Sequence, residues 1–276
     1  MLASFLLSLR EGIEAALIIG IVLGALRQMK RPEYIPTVWL GTVSAGVISL
    51  LAAITLTMLG LEMKDPGEAI FEGFTMLFAA GLLTWMIFWM SRTSRTLKSD
   101  IEANVLRASQ VGGRALFFVA FIAVLREGIE LALFLTASVF ASDALQATLG
   151  AILGLGTAIL IGWTIFATTV RLDLRRFFQV TGFLLILFAA GLVAHGVHEF
   201  NEVGWIPAII EHVWDVNSFV NENSTFGQIL NALFGYNSNP SLTEVLAYVA
   251  YFVAVILGLR SANKSLPTSV KLQAQP

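Results

Sequence analysis

The chain has 276 residues, of which 57% are hydrophobic and 13% charged, with a mean hydropathy of +0.79. A soluble domain carries about a quarter charged residues, so this composition belongs to the membrane class. A net charge of −2 excludes a nucleic-acid binder that works by neutralising phosphates, and the absence of cysteine leaves only oxygen and imidazole to hold a metal.

A bilayer core of ~30 Å takes ~20 apolar residues as a helix, and seven segments are predicted to span it. The first runs from Ala3 to Leu26 and carries charges. It has no basic segment before it and passes through Arg10 and Glu11, unlike a cleavable signal peptide. The second lies within Tyr34–Leu61 and the third is Gly73–Ser91. The polar stretch Thr96–Val111 reads as a short cytoplasmic helix. The fourth span, Ala115–Ser142, again carries charges; the fifth lies within Ala144–Val170. The sixth runs from Phe177 to Ala194, where it meets His195. In Asn201–Ser241, Ile206, Ile209, Ile210, Val213 and Phe219 recur at roughly helical spacing, which predicts an amphipathic helix at the interface. The seventh span is Leu242–Leu259, and a disordered polar tail is expected over 261–276.

Charge in the connections fixes the expected direction. Basic residues follow spans one, three, five and seven: Arg27, Lys30 and Arg31; Arg92, Arg95, Lys98, Arg107 and Arg114; Arg171, Arg175 and Arg176; Arg260, Lys264 and Lys271. The other connections carry Glu62, Asp65, Glu68 and Glu72, then Asp143, then Glu199, Glu202, Glu211, Asp215 and Glu222. Basic loops stay in the cytoplasm. The alternation therefore predicts an N-outside, C-inside protein with an odd number of spans.

The chain also repeats itself. Leu9-Arg-Glu-Gly-Ile-Glu14 returns as Leu125-Arg-Glu-Gly-Ile-Glu130, and Leu77-Phe-Ala-Ala-Gly-Leu82 as Leu187-Phe-Ala-Ala-Gly-Leu192. Spans one to three thus map onto spans four to six. Three is odd, so the second copy enters from the opposite side, which makes a 3+3 inverted repeat plus one C-terminal helix. The expected units are residues 1–92 and 115–199 as the two repeats, 93–114 as the cytoplasmic linker, 200–241 as an outer segment and 242–260 as the last helix. Transporters built this way bind substrate near the midplane, between the repeats.

Charges inside a span are expensive and mark function. Glu14 lies about 17 Å along its helix from Ala3, close to mid-bilayer. Glu11 and Glu14 share a helix face, as do Glu127 and Glu130, so a two-fold axis brings four carboxylates together. Carboxylates suit hard cations; alternatively they hold protons. Arg10 with Glu14 and Arg126 with Glu130 stand at i,i+4, which also allows two structural ion pairs. Gly12 and Gly128 remove bulk between the paired glutamates and permit close helix contact. Three functions compete: a metal permease, a proton-coupled carrier of another substrate, and an intramembrane enzyme. The enzyme reading lacks a nucleophile.

The doubled Arg-Glu-Gly-Ile-Glu motif in an inverted seven-helix chain resembles the oxidase-dependent iron transporter family, which has fungal and bacterial branches. The family motif is written Arg-Glu-Gly-Leu-Glu, and Ile13 and Ile129 replace the leucine here. Thr84-Trp-Met-Ile-Phe-Trp-Met90 and Phe234-Gly-Tyr236 look like the bacterial branch. The additional extracellular acidic motifs of fungal members have no clean match. The resemblance implies iron ions as the transported substrate, with Glu11, Glu14, Glu127 and Glu130 handling the metal and no organic cofactor. It further implies a multi-pass protein of the bacterial inner membrane working with periplasmic iron-binding and peroxidase-like partners.

Secondary candidates lie at the outer ends. His195, His198 and Glu199 suit a mouth or relay site for metal, or simply polar residues where a helix meets water. Glu72, with Asp65 and Glu68, can attract cations or belong to a solvated acidic loop. Trp85 and Trp89 suggest interfacial anchoring.

Overall fold

The structure is a computed structural model and describes residues 1–64, 66–93, 97–167, 174–217, 219–221 and 224–264. Among these residues there are helices and no strands: α1 (Leu2–Gln28), α2 (Ile35–Glu62), α3 (Gly67–Thr93), α4 (Leu97–Val111), α5 (Gly113–Phe140), α6 (Ala144–Ala167), α7 (Leu174–Glu202), α8 (Thr225–Phe234) and α9 (Leu242–Lys264), with a 3₁₀ turn at Pro32–Tyr34. Helices suit this composition, because a spanning segment must satisfy its own backbone hydrogen bonds.

Among the described residues, five helices are long and apolar enough to cross a membrane: α2, α3, α6, α7 and α9. They expose apolar faces, such as Leu40, Val43 and Leu50 on α2, Ile152, Ile159 and Trp163 on α6, and Val249, Val253 and Ile256 on α9. Bands of this size are untypical of a water-facing surface. By length α1 and α5 match the others. They fall short on apolar character because Arg10, Glu11 and Glu14, or Arg126, Glu127 and Glu130, sit in mid-helix.

The helices pair in a pattern that repeats. α1 packs chiefly against α6, α2 against α5, α3 against α7, and α1 also against α5. Exchanging α1 with α5, α2 with α6 and α3 with α7 leaves this set unchanged. The close contacts follow the same exchange. A Cβ on Gly41 would run into the backbone of Phe117 and Phe121, and one on Gly150 into that of Met1 and Phe5. A Cβ on Gly12 would meet Ala158, and one on Gly128 would meet Ser49. Phe117, Phe121 and Gly128 stand at the same separation from Met1, Phe5 and Gly12 as Glu127 does from Glu11, and Ser49 and Ala158 are separated as Gly41 and Gly150 are. The expected close approach at Gly12 and Gly128 is present, and it is made to α6 and α2.

Three expectations change. The amphipathic helix over Ile206–Phe219 does not form; the described residues there make turns and bends. Pro207 holds Ile206 out of the helical region, Ile209 sits at φ 61°, and the backbone pairs elsewhere. Val213 and Val216 donate to Pro240 and Ser238 (both 3.0 Å), and Leu242 donates to Ile210 at 3.0 Å. The helix in this segment is α8, capped by Ser224, whose Oγ accepts from the Gly227 N–H at 3.0 Å. Gly235 ends it at φ 64°, where a Cβ would also strike Gly191 of α7. Second, α3 begins at Gly67 and α7 runs to Glu202, so Glu68, Glu72 and Glu199, counted with the connections, are helical, as His195 and His198 are at the end of α7. Third, α9 continues through Lys264, so 261–264 are helix and not tail. Asp65, Arg95, Arg171, Glu222 and residues 265–276 lie outside the described residues.

Candidate metal centre

α1 and α5 cross at their doubled motif, and the crossing is buried. Arg10 is 1% exposed, Glu11 1%, Glu14 5%, Glu127 6% and Glu130 6%, which is rare for unpaired ionisable groups. Helical spacing delivers the local geometry. Glu11 and Glu14 are one turn apart on α1, Glu127 and Glu130 one turn apart on α5, and each helix turns its pair toward the other. One carboxylate oxygen each from Glu11, Glu14 and Glu127 come within 4.8 Å of one another, close enough to share a metal ion. Glu130 lies outside that triple but within electrostatic reach of Glu11 and Glu14.

The arginines take one glutamate each. Arg10 Nε donates to Glu14 Oε1 at 3.1 Å, and Arg126 Nε to Glu130 Oε1 at 2.9 Å. Glu11 and Glu127 have no arginine of their own. Both oxygens of Glu11, Oε2 of Glu127 and Oε2 of Glu130 are buried without a hydrogen-bond partner. Buried carboxylate oxygens without donors are strongly unfavourable unless a cation or proton joins them. A cavity of about 250 Å³ opens beside Glu11 and Glu127, walled by Gly46 and Ser49 of α2, Leu131 of α5 and Leu155 of α6. Gly12 and Gly128 line it too.

The secondary candidates separate into two groups. His198 donates through Nδ1 to Glu244 Oε1 at 3.0 Å, with its Nε2 at 3.4 Å from Glu202. Glu244 also accepts from Asn237 Nδ2 and the Ser241 N–H, while its own N–H donates to Ser241 Oγ. Ser241 and Glu244 thus form a capping box that starts α9, and His198 ties it to α7. His195 Nδ1 lies 3.0 Å from the Gly191 carbonyl, and its ring lines a cavity of about 380 Å³ with Trp214, Tyr236 and Glu244. Glu72 on α3 is half-buried and feels the charges of Glu68, Glu199 and Glu202. Sequence reading missed Glu244, although an acidic residue three places after a serine at the start of an apolar run is a capping signal. It also missed the tie between α3 and α5. Trp85 and Trp89 stack 6.3 Å apart, and the Arg126 guanidinium sits 4.4 Å from the Trp89 centroid.

Comparison with known proteins agrees with this picture. The profile of the "Iron permease FTR1 family" matches residues 1–266. The protein named "Ferrous iron permease EfeU" in Escherichia coli O157:H7 is 34% identical over 260 residues, covering 93% of this chain and 94% of the relative. Its namesake in Yersinia pestis is 34% identical over 260 residues, covering 93% and 92%, and that of Shigella sonnei is 34% identical over 260 residues, covering 93% and 94%. No solved structure matches the chain. A match over nearly the whole length, on a helical chain with several membrane-capable helices, means that the protein belongs to the iron permease FTR1 family and is a multi-pass membrane protein that transports iron.

Proposed function

We propose that iron crosses the bilayer through a midplane site in which Glu11 and Glu127 are the principal ligands and Glu14 and Glu130 complete the anionic ring. The observation that carries this reading is the buried approach of the Glu11, Glu14 and Glu127 oxygens to within 4.8 Å. Carboxylate oxygens are hard donors suited to iron in either oxidation state. With all six groups ionised, four glutamates against Arg10 and Arg126 leave two negative charges, which a divalent cation balances. Ferrous iron is therefore the proposed permeating ion, in keeping with the name of the relatives. The arginines prevent the site from becoming a trap: a ring of four uncompensated carboxylates would hold the ion too tightly to release it.

The same reading takes α1, α2, α3, α5, α6, α7 and α9 as seven spans, with α1 starting outside and α9 ending inside. The first three and the next three are inverted repeats, and the exchange-symmetric packing supports this. The protein then sits in the bacterial inner membrane and receives iron from periplasmic iron-binding and peroxidase-like partners. Glu72, His195, His198 and Glu199 lie at the outer mouth as a relay, and no organic cofactor takes part. Iron uptake into proteoliposomes under controlled oxidation state tests the site. Glu11→Gln or Glu127→Gln should abolish Fe(II) uptake, and normal uptake by either refutes it. Proton flux independent of metal would favour a proton-coupled carrier using the same carboxylates.

A further inference from the structure

The route to the glutamates differs at its two ends. On α1, Ser4, Ser8 and Glu11 fall at i, i+4 and i+7, one stripe on one face. Ser4 Oγ meets Ser138 Oγ of α5 at 2.8 Å, and Ser4, Ser8 and Ser138 are all buried. Beyond Ser138, a cavity of about 10 Å³, room for roughly one water, is lined by Ser138, Ser142, His195 and Asn231. A hydroxyl line therefore leads from Glu11 toward the end of the bundle that holds the N-terminus of α1.

The opposite end has no such line. At the separation of Glu11 from Glu127, the repeat counterparts of Ser4, Ser8, Ser138 and Ser142 are Ala120, Val124, Val22 and Leu26. All four are buried, and three of them pack in one apolar cluster with Val38, Val105 and Leu116. Four hydroxyls on one side thus face four hydrocarbon side chains on the other, at equivalent positions in the repeat.

Ser8 is the informative member. Most described hydroxyls in these helices bond back to a carbonyl three or four residues earlier, as Ser49 does to Ala45, Thr136 to Ala132 and Ser142 to Ser138, and Thr42 of α2 shares with Ser8 the lack of any such bond. Ser8 Oγ makes no such bond and has no other partner, although Ser8 is fully buried, one turn from the equally unpartnered Glu11. A buried hydroxyl without a partner is unfavourable and is retained where something else uses it.

We propose that Ser4, Ser8 and Ser138 line the outer approach to the glutamates and that Ser8 Oγ is an oxygen ligand for the incoming cation, one turn before Glu11. The Ser4–Ser138 hydrogen bond is the constriction the ion parts on its way in, and the apolar cluster seals the inner side while it does so. This inference rests on the glutamate site proposed above.

Because the chain contains no cysteine, single-cysteine variants of the full-length protein need no background removal. Ser8→Cys and Val22→Cys would be treated in oriented vesicles with a membrane-impermeant methanethiosulfonate, with and without ferrous iron kept reduced by ascorbate. Ser8→Cys should react from the outer side, severalfold more slowly with iron present, while Val22→Cys, inside the apolar cluster, should stay unmodified. In uptake assays Ser8→Ala should raise the half-saturating Fe(II) concentration about 5- to 10-fold, the scale of one lost polar contact, with a smaller change in maximal rate. Equal labelling of the two cysteines, absence of iron protection, or an unchanged half-saturation in Ser8→Ala overturns the serine route. Glu11→Gln, run in parallel, separates the two proposals. If Glu11→Gln is inactive and Ser8→Ala normal, only the serine route falls; full uptake by Glu11→Gln removes the glutamate site itself.

Discussion

The two copies of Arg-Glu-Gly-Ile-Glu make the same internal ion pair in different surroundings. The Arg10 side chain is 2% exposed and that of Arg126 38%. Arg10 leaves Nη1 buried without a partner, whereas Arg126 spreads over Trp89 and Trp85 of α3. At the separation of Leu77 from Leu187, the counterparts of Trp85 and Trp89 in the second repeat are His195 and Glu199. Identical pentapeptides thus fix the pairing within each helix, because i,i+4 spacing alone brings Arg to Glu. The neighbouring helix decides how each pair is solvated. Two indoles of α3 cover the guanidinium of the second motif, whereas that of the first is enclosed without such a partner.

The largest test of this difference is the loss of each arginine. Arg10→Ala leaves Glu14 buried without its cation and should destabilise the protein by about 3–5 kcal/mol, the usual cost of breaking a buried pair. Arg126→Ala also leaves its glutamate buried, but the 38% exposed guanidinium site lets water in beside Glu130, so the loss should be smaller, about 1–3 kcal/mol. Thermal unfolding in detergent compares the two, and equal losses would mean that surroundings matter less than the motif.

Uptake comes next. Glu11→Gln and Glu127→Gln each remove a proposed ligand and should abolish Fe(II) uptake, a loss beyond the roughly 10- to 100-fold that altering a metal's supporting groups costs. Glu14→Ala and Glu130→Ala should also abolish uptake while insertion is retained. Normal uptake by either glutamine variant would overturn the site shared between α1 and α5.

Much of this was legible in the chain. Six charges inside two apolar runs identified α1 and α5, and their spacing identified the paired carboxylates. The linker helix α4 followed from polarity. Tertiary relations were hidden. Nothing in the apolar pattern says that α1 packs on α6 or that α2 packs on α5. α7 was expected to stop at His195 because hydropathy falls there, yet backbone bonds and the His198–Glu244 tie carry the helix to Glu202. The isoleucine spacing after Asn201 looked helical, but Pro207 and the pairing of Val213 and Val216 with 238–240 override it. Trp85 and Trp89 were read as interface anchors, since only the fold brings Arg126 to them.

The glycine contacts ask whether the packing is as symmetric as the motif. Gly12→Ala would place its methyl 2.6 Å from the Ala158 Cβ, and Gly128→Ala would overlap Ser49. Overpacking of this kind costs about 1–3 kcal/mol. Gly128→Ala should be the worse of the two, because displacing Ser49 also disturbs its hydrogen bond to Ala45. In double-mutant measurements Ala158→Gly should relieve Gly12→Ala and leave Gly128→Ala unrelieved, and Ser49→Gly should do the reverse. Relief across the wrong pair would break the α1–α6 and α2–α5 pairing.

The smallest effect isolates the surroundings of Arg126 from its ion pair. Trp89→Leu keeps an apolar side chain on α3 and keeps Arg126 Nε on Glu130, but removes the ring face 4.4 Å from the guanidinium. A cation–π contact at a partly exposed site contributes about 0.5–1 kcal/mol, so the melting temperature should fall slightly and uptake should stay within about 5-fold of normal. The informative comparison is Trp89→Leu combined with Arg126→Ala. If the indole acts through the guanidinium, adding Trp89→Leu to Arg126→Ala should cost little further, since the contact between them is already gone. Fully additive losses would mean that Trp89 serves only as packing for α3, and that the solvation of the second motif comes from lipid and water rather than from its neighbouring helix.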